Sequence, residues 1–228
     1  MVQLSPSIKL GLIAFLAVDV ALAVILVSLY LVRSERGLAV ELRELGATVY
    51  EAPFELSEFQ LTDQDNNEFS NVDLLNNWNL VFFGFTSCPD ICPITMAELD
   101  RFSQNWIESS NSPLPKIILA TVDPNTDSPA KMKEYLADFN PEFIGLTGNR
   151  SDLEVLADEL FVAFGEPTTA GVQASGHNNH NDRVNLGDFV IDHSSHISII
   201  DPNGDLYGVI RPPHRARDIT AALQLIFD

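Results

Sequence analysis

Most of the chain alternates between two hydrophobic patterns. Short apolar runs typical of buried strands are separated by longer stretches in which apolar residues recur every three or four positions, as in helices. Residues 59–69 indicate two short strands about an Asp/Asn turn, and residues 72–75 indicate a brief helix. This alternation predicts an α/β sandwich with a partly parallel sheet. After a central strand that begins at Leu80, the predicted strands are 116–122, 143–146, 189–192, 195–201 and 206–210, and the predicted helices are 95–107, 129–139, 151–164 and 215–227.

The longest apolar run, residues 10–32, is long enough to cross a bilayer as a helix. Its aliphatic and aromatic residues contribute about −5 to −9 kcal/mol to membrane insertion, against about +3 kcal/mol for Asp19 near its centre. We expect an uncleaved anchor, because no small-x-small cleavage site closes the run before Arg33. The predicted organisation is therefore a short tail (1–9), a transmembrane anchor (10–32), a juxtamembrane stalk with some helical character (33–53) and one folded domain (54–228).

The basic residues around the predicted anchor bear on its orientation in the membrane. Lys9 stands alone before the apolar run, whereas Arg33, Arg36 and Arg43 follow it. The positive-inside rule would then place the large domain in the cytoplasm, although large domains translocate largely regardless of flanking charge. The charge count alone leaves the orientation open.

Both cysteines of the chain, Cys88 and Cys92, lie in the sequence LVFFGFTSCPDICP at residues 80–93. A buried strand that leads directly into a helix would place both thiols at the helix N-terminus, where we expect them to ionise more easily than free cysteine. Pro89 and Pro93 predict that regular helix begins only near Pro93, after a tight turn. Residues four apart have Cβ atoms about 5–6 Å apart, whereas a disulfide needs about 3.5–4.5 Å. The spacing favours a metal ion between the thiols and leaves redox chemistry open.

Composition excludes some classes of function. A net charge of −19 argues against a general nucleic-acid-binding protein. Two cysteines in one short motif form no disulfide framework, and there is no Gly-rich phosphate loop or nucleophile elbow.

Three histidines are further candidates for a functional site. His193 is predicted at the mouth of a strand, where α/β proteins often build sites, but a lone polar His is more often merely solvated. His177 and His180 form an H-x-x-H pattern in the polar loop 165–187, which indicates either a polar loop or weak metal affinity.

Five stretches follow one another along the chain: FGFTSCPDICP at 83–93, TVDP at 121–124, GLTG at 145–148, DHS at 192–194 and DPNG at 201–204. Together they resemble the Sco/SenC family of copper chaperones for cytochrome c oxidase assembly. The resemblance implies a thioredoxin-like fold, an N-terminal membrane anchor and a domain facing the periplasm, or the intermembrane space in mitochondria. It also assigns the copper ligands to Cys88, Cys92 and His193. His196 would point to the opposite face of the same strand, because side chains alternate along a strand.

Two thiolates and one imidazole suit Cu(I) and can also hold Cu(II). We therefore expect a copper chaperone, anchored by a single span in the inner membrane. It would receive one copper ion from a donor protein and deliver it to the binuclear copper site of cytochrome c oxidase subunit II or to another copper-protein acceptor.

The alternative is a thiol-disulfide oxidoreductase in which Cys88 and Cys92 are the redox-active pair. Thioredoxin-type enzymes usually carry a Pro just before the strand facing the dithiol, and residues 192–196 contain none.

Overall fold

The computed structural model describes residues 6–163 and 195–227, which divide into two compact units at Glu44 and Leu45. The first unit is one helix, α1 (Pro6–Glu44), and it contains the predicted anchor at 10–32. Within the described residues, no helix reaches the length and apolarity that crossing a membrane requires.

The second unit is built on an eight-stranded mixed sheet with the strand order β1-β8-β7-β4-β5-β6-β2-β3. β4, β5 and β6 are parallel to one another, and the other neighbouring strands pair antiparallel. The strands are β1 (Ala47–Phe54), β2 (Gln60–Asp63), β3 (Glu68–Ser70), β4 (Asn79–Gly84), β5 (Lys116–Thr121), β6 (Ile144–Thr147), β7 (Ile197–Ile200) and β8 (Leu206–Ile210). The helices of this unit are α2 (Asn71–Leu74), α3 (Ile91–Ser109), α4 (Pro129–Ala137), α5 (Arg150–Glu159) and α6 (Ala216–Phe227). The predicted α/β class with a partly parallel sheet is confirmed.

β4 is the centre of the core, because all six of its residues are buried and strands flank it on both sides. A strand covered in this way needs a continuous apolar run, which residues 80–83 supply. Helix α3 follows β4 and packs against α6. The apolar positions predicted at helical spacing are all buried on α3, namely Met96, Leu99, Phe102 and Trp106.

Two predicted boundaries are wrong. Residues 47–53, expected in a stalk with helical character, belong to strand β1, and the second unit begins at Leu45 rather than at Phe54. The cause is long-range pairing that local composition does not reveal, since β1 lies antiparallel to β8 near the C-terminus. Helix α5 ends at Glu159 rather than at Phe164, because Phe161 adopts a positive φ of 56° that stops the helix. The predicted loop 165–187 and strand 189–192 lie outside the described residues.

The buried ring of His214, which lies just before α6, links the end of β8 to helix α3 through two hydrogen bonds. Its Nε2 donates a hydrogen bond to the Ile210 carbonyl at 3.3 Å, so its Nδ1 is the acceptor for the Thr95 hydroxyl at 3.0 Å. The ring also meets Phe82 of β4 edge to face, with centroids 6.0 Å apart. Burial is the main cause that lowers the pKa of His214 to about 4. The neutral ring is therefore the form that the fold holds.

The stability of the chain should depend on pH through His214. A group whose pKa is lowered by folding stabilises the native state above its unfolded pKa of 6.5, and this contribution is lost as the pH falls towards 4. Over that window we expect His214 to account for a loss of about 3 kcal/mol in the free energy of unfolding. Urea denaturation at a series of pH values should give a shallower pH dependence for His214→Gln than for the wild type. Superimposable slopes would contradict this role.

Candidate metal centre

The two cysteines lie at the connection between strand β4 and helix α3. The Cys88 amide donates to the Phe85 carbonyl at 3.2 Å, which closes a turn and leaves the residue half-buried. Cys92 is fully buried in the first turn of α3, and both cysteines are free thiols. The helix begins at Ile91, so the predicted start near Pro93 is wrong. Pro93 is tolerated there because amides in the first turn of a helix have no intrahelical partner.

Burial decides the protonation of Cys92. Its sulfur fits against the backbone of β4 so closely that a Cβ on Gly84 would lie 3.0 Å from Sγ. Desolvation raises the pKa of Cys92 well above its ordinary value, a hydrogen bond to Cys88 acts in the same direction, and a backbone hydrogen bond of Phe85 opposes them. The expectation that a helix N-terminus would ionise both thiols easily is therefore wrong for Cys92. The desolvation of a wholly buried thiol outweighs the stabilising field of the helix N-terminus.

A buried carboxylate, that of Asp127, holds the segment that leads to Cys88. It accepts hydrogen bonds from the Thr86 amide at 3.0 Å, from the Thr86 hydroxyl at 2.5 Å and from the Thr121 hydroxyl at 2.7 Å. Asp127 is fully buried, in the loop between β5 and α4. Its carboxylate therefore ties the turn after β4 to the end of β5. Sequence reasoning did not select Asp127, although it follows the predicted TVDP motif by only three residues.

One cation balances this carboxylate and reaches the same turn. Lys131, in the first turn of α4, places Nζ 3.6 Å from Asp127 Oδ1 and donates to the Ser87 hydroxyl at 3.3 Å. Ser87 precedes Cys88, so α4 is joined to the cysteine turn through a side chain on each side. The Thr147 hydroxyl donates to the Asp127 backbone carbonyl at 2.8 Å, which adds the end of β6 to the same network.

The predicted third ligand, His193, lies outside the described residues, as do His177 and His180. His196 is described, and its Nε2 donates to the Leu160 carbonyl at 2.9 Å. This contact agrees with the expected structural role of His196. In the described part of the chain, no three His, Cys, Asp or Glu side chains form a group that could hold a metal ion. Of the predicted ligand set, the structure thus describes Cys88, just before α3, and Cys92, in its first turn, and His193 stays a prediction.

The arrangement offers two kinds of chemistry. Two neighbouring thiols are soft donors that bind a thiophilic ion once both are deprotonated. The same pair can also be oxidised to a disulfide, with the half-buried Cys88 as the accessible sulfur. Both remain compatible with the geometry of the described residues.

Removing the Asp127 carboxylate should destabilise the fold strongly. In Asp127→Ala, three donors from Thr86 and Thr121 would lose their acceptor and Lys131 would lose its counter-charge. We expect the free energy of unfolding to fall by about 2–4 kcal/mol, measured by urea denaturation. The control is Asp65→Ala, which removes the exposed Lys133–Asp65 ion pair and should cost less than about 1 kcal/mol. Equal, small losses for the two variants would contradict the role given to Asp127.

Comparison with known proteins identifies relatives of this chain. The family model described as SCO1/SenC matches residues 48–228. A protein of Stutzerimonas stutzeri that is named for copper binding is 33% identical over 173 residues, which cover 76% of this chain and 77% of that protein. The SCO2-like protein of Rickettsia felis is 36% identical over 147 residues, which cover 64% of each chain.

Solved structures share the fold. The crystal structure of yeast Sco1 with copper bound matches with a TM-score of 0.60 at 28% sequence identity, covering 77% of this chain and 88% of that chain. This likeness confirms the expected thioredoxin-like arrangement of the mixed α/β unit. Because the family model spans most of the sequence, including the cysteine motif, the chain belongs to the SCO1/SenC family.

Proposed function

We propose that this protein is a copper chaperone that carries one copper ion on Cys88, Cys92 and His193. Its acceptor would be the binuclear copper site of cytochrome c oxidase subunit II or another copper protein, and a separate donor protein would supply the ion. The observation that carries the proposal is the pair of free thiols at the start of α3, one half-buried and one fully buried. Copper is the cargo in this account.

The donor set supports copper over other metals. Thiolate sulfur is a soft ligand that favours Cu(I), and an imidazole nitrogen adds affinity for Cu(II). Structural zinc sites almost always have four ligands, one more than the proposed set provides. Copper is also bound in the yeast Sco1 structure that this chain resembles. These points agree with the expectation from the sequence.

The different burial of the two sulfurs suits transfer rather than permanent storage. Cys92 is protonated in the metal-free fold, so loading must release its proton and the site gains affinity as the pH rises. Cys88 is accessible, so a thiolate of an incoming donor or acceptor can bind the ion beside it. With only three protein ligands on the ion, the incoming thiolate can bind it before any of those ligands dissociates.

The second candidate function is thiol-disulfide exchange. It is favoured by the two free thiols at the start of α3, since Cys88 is among the groups that raise the pKa of Cys92. In this alternative the protein would reduce the cysteines of the acceptor or sense the redox state. The attacking group would be Cys88, because a buried, protonated thiol such as Cys92 is a poor nucleophile.

We further propose that residues 10–32 anchor the protein by a single span in the inner membrane, with the copper-binding unit in the periplasm, or in the intermembrane space of mitochondria. The long apolar sequence of this stretch, broken only by Asp19 and Ser28, supports the anchor. The family resemblance supports the orientation, since the arginines that follow the stretch do not prevent a large domain from being translocated.

Substituting the two histidines separately tests the proposed function. We expect His193→Ala to abolish or reshape the Cu(II)–thiolate absorption of the loaded protein while sparing much of the Cu(I) binding, because Cu(II) depends more on nitrogen donors. His196→Ala is the matched control. It should leave the spectrum unchanged and lower only stability, since its ring already donates to the Leu160 carbonyl. If His196→Ala bleached the spectrum and His193→Ala had no effect, the ligand assignment would be wrong.

A further inference from the structure

Strand β4 ends in a glycine, although its backbone there does not need one. Gly84 is the last residue of β4 and is buried. It is not among the glycines with a positive φ, so an ordinary residue could adopt the same backbone. Glycine inside a strand weakens it and often marks a place where other atoms approach closely. The absence of a side chain, rather than a special backbone conformation, is therefore what residue 84 supplies.

The sulfur of Cys92 occupies part of the space beside Gly84. A Cβ at residue 84 would lie 3.0 Å from Cys92 Sγ, and 3.1 Å from both Leu119 Cδ1 and Phe82 Cε1. Ordinary contacts between non-bonded heavy atoms are about 3.5–4.0 Å long, so a methyl group there would push the sulfur away. This space, bounded by Gly84, Phe82 and Leu119, is the sulfur seat.

The sulfur seat determines how deep the second thiol lies. Cys92 is fully buried, whereas Cys88 is half-buried. A single rotatable bond places the sulfur of a cysteine, so blocking its position leaves only another rotamer or a shift of the first turn of α3. Metal sites hold their ligands within about 0.5 Å of the productive geometry. Either displacement would therefore disturb an ion shared between the two cysteines.

We propose that Gly84 is a positioning residue for the copper site, because the missing side chain lets the Cys92 sulfur occupy the sulfur seat. This inference rests on the proposed copper-binding function and adds a residue to it. Gly84 does not contact the ion. It fixes the buried sulfur from below, so that Cys88 alone is presented to an incoming thiolate.

The steric claim is tested without copper by a double-mutant cycle on the reduced full-length chain. Gly84→Ala should lower the midpoint of urea denaturation in the wild-type background. In the Cys92→Ala background the same substitution should lower it much less or raise it, because the new methyl group fills the volume that the sulfur has left. Equal losses in both backgrounds would overturn the inference, as would a double variant that folds no better than Gly84→Ala.

The copper role is tested by comparing Gly84→Ala with Gly145→Ala. Gly145 is buried in β6, and a Cβ there would lie 2.9 Å from Leu136 Cδ1 and 3.1 Å from Met132 Cβ and Cε, all in α4. Both variants should be destabilised. Only Gly84→Ala should lower Cu(I) affinity, by about 10–100-fold in competition with a chromogenic chelator, and shift the Cu(II)–thiolate absorption.

The opposite results separate the possible failures. Wild-type affinity and spectrum in Gly84→Ala would overturn this inference alone, since the wild-type chain would still bind copper. An equal loss of affinity in Gly145→Ala would also overturn it, because the loss would then follow from lower stability. A wild-type chain that binds no copper would overturn the proposed function, and with it the copper role of Gly84.

Discussion

The cysteine turn depends on one buried carboxylate. Asp127 is fully buried and gathers hydrogen bonds from the turn that precedes Cys88 and from the end of β5, while Lys131 brings α4 to the same point. A buried charge is tolerated only when it is well partnered, so this network is held together or lost as a unit. The two residues that precede Cys88, Thr86 and Ser87, are therefore held by contacts with the core and with α4.

The second constraint is the burial of Cys92. A thiol at a helix N-terminus is usually expected to ionise easily, but here the sulfur is packed against β4 and loses its hydration. Desolvation outweighs the field of the helix N-terminus and raises the pKa of Cys92, so this thiol stays protonated in the metal-free protein. This has a functional meaning under either proposal. A chaperone must exchange that proton for its cargo, and a reductase must use the accessible Cys88 as its nucleophile.

The sequence predicted the parts of the fold that depend on local pattern. The buried run of β4 and the apolar face of α3 were visible as a continuous stretch and a helical spacing, and both are confirmed. Strand β1 was missed because its partner β8 lies far away in sequence, and pairing of that kind leaves little local trace. The cysteine positions were found from their motif alone. Asp127, Lys131 and His214 were not, because single polar residues gain their roles only when the fold surrounds them.

The proposed function requires that the two thiols bind one copper ion. Titration of the full-length chain with Cu(I) in the presence of a competing chelator tests it most directly, on the reduced protein and on protein whose Cys88 and Cys92 have been oxidised to a disulfide. We expect one tightly bound copper ion per reduced chain and none for the oxidised chain, because disulfide sulfur is no longer a thiolate ligand. Tight binding of one copper ion by the fully oxidised chain would contradict it.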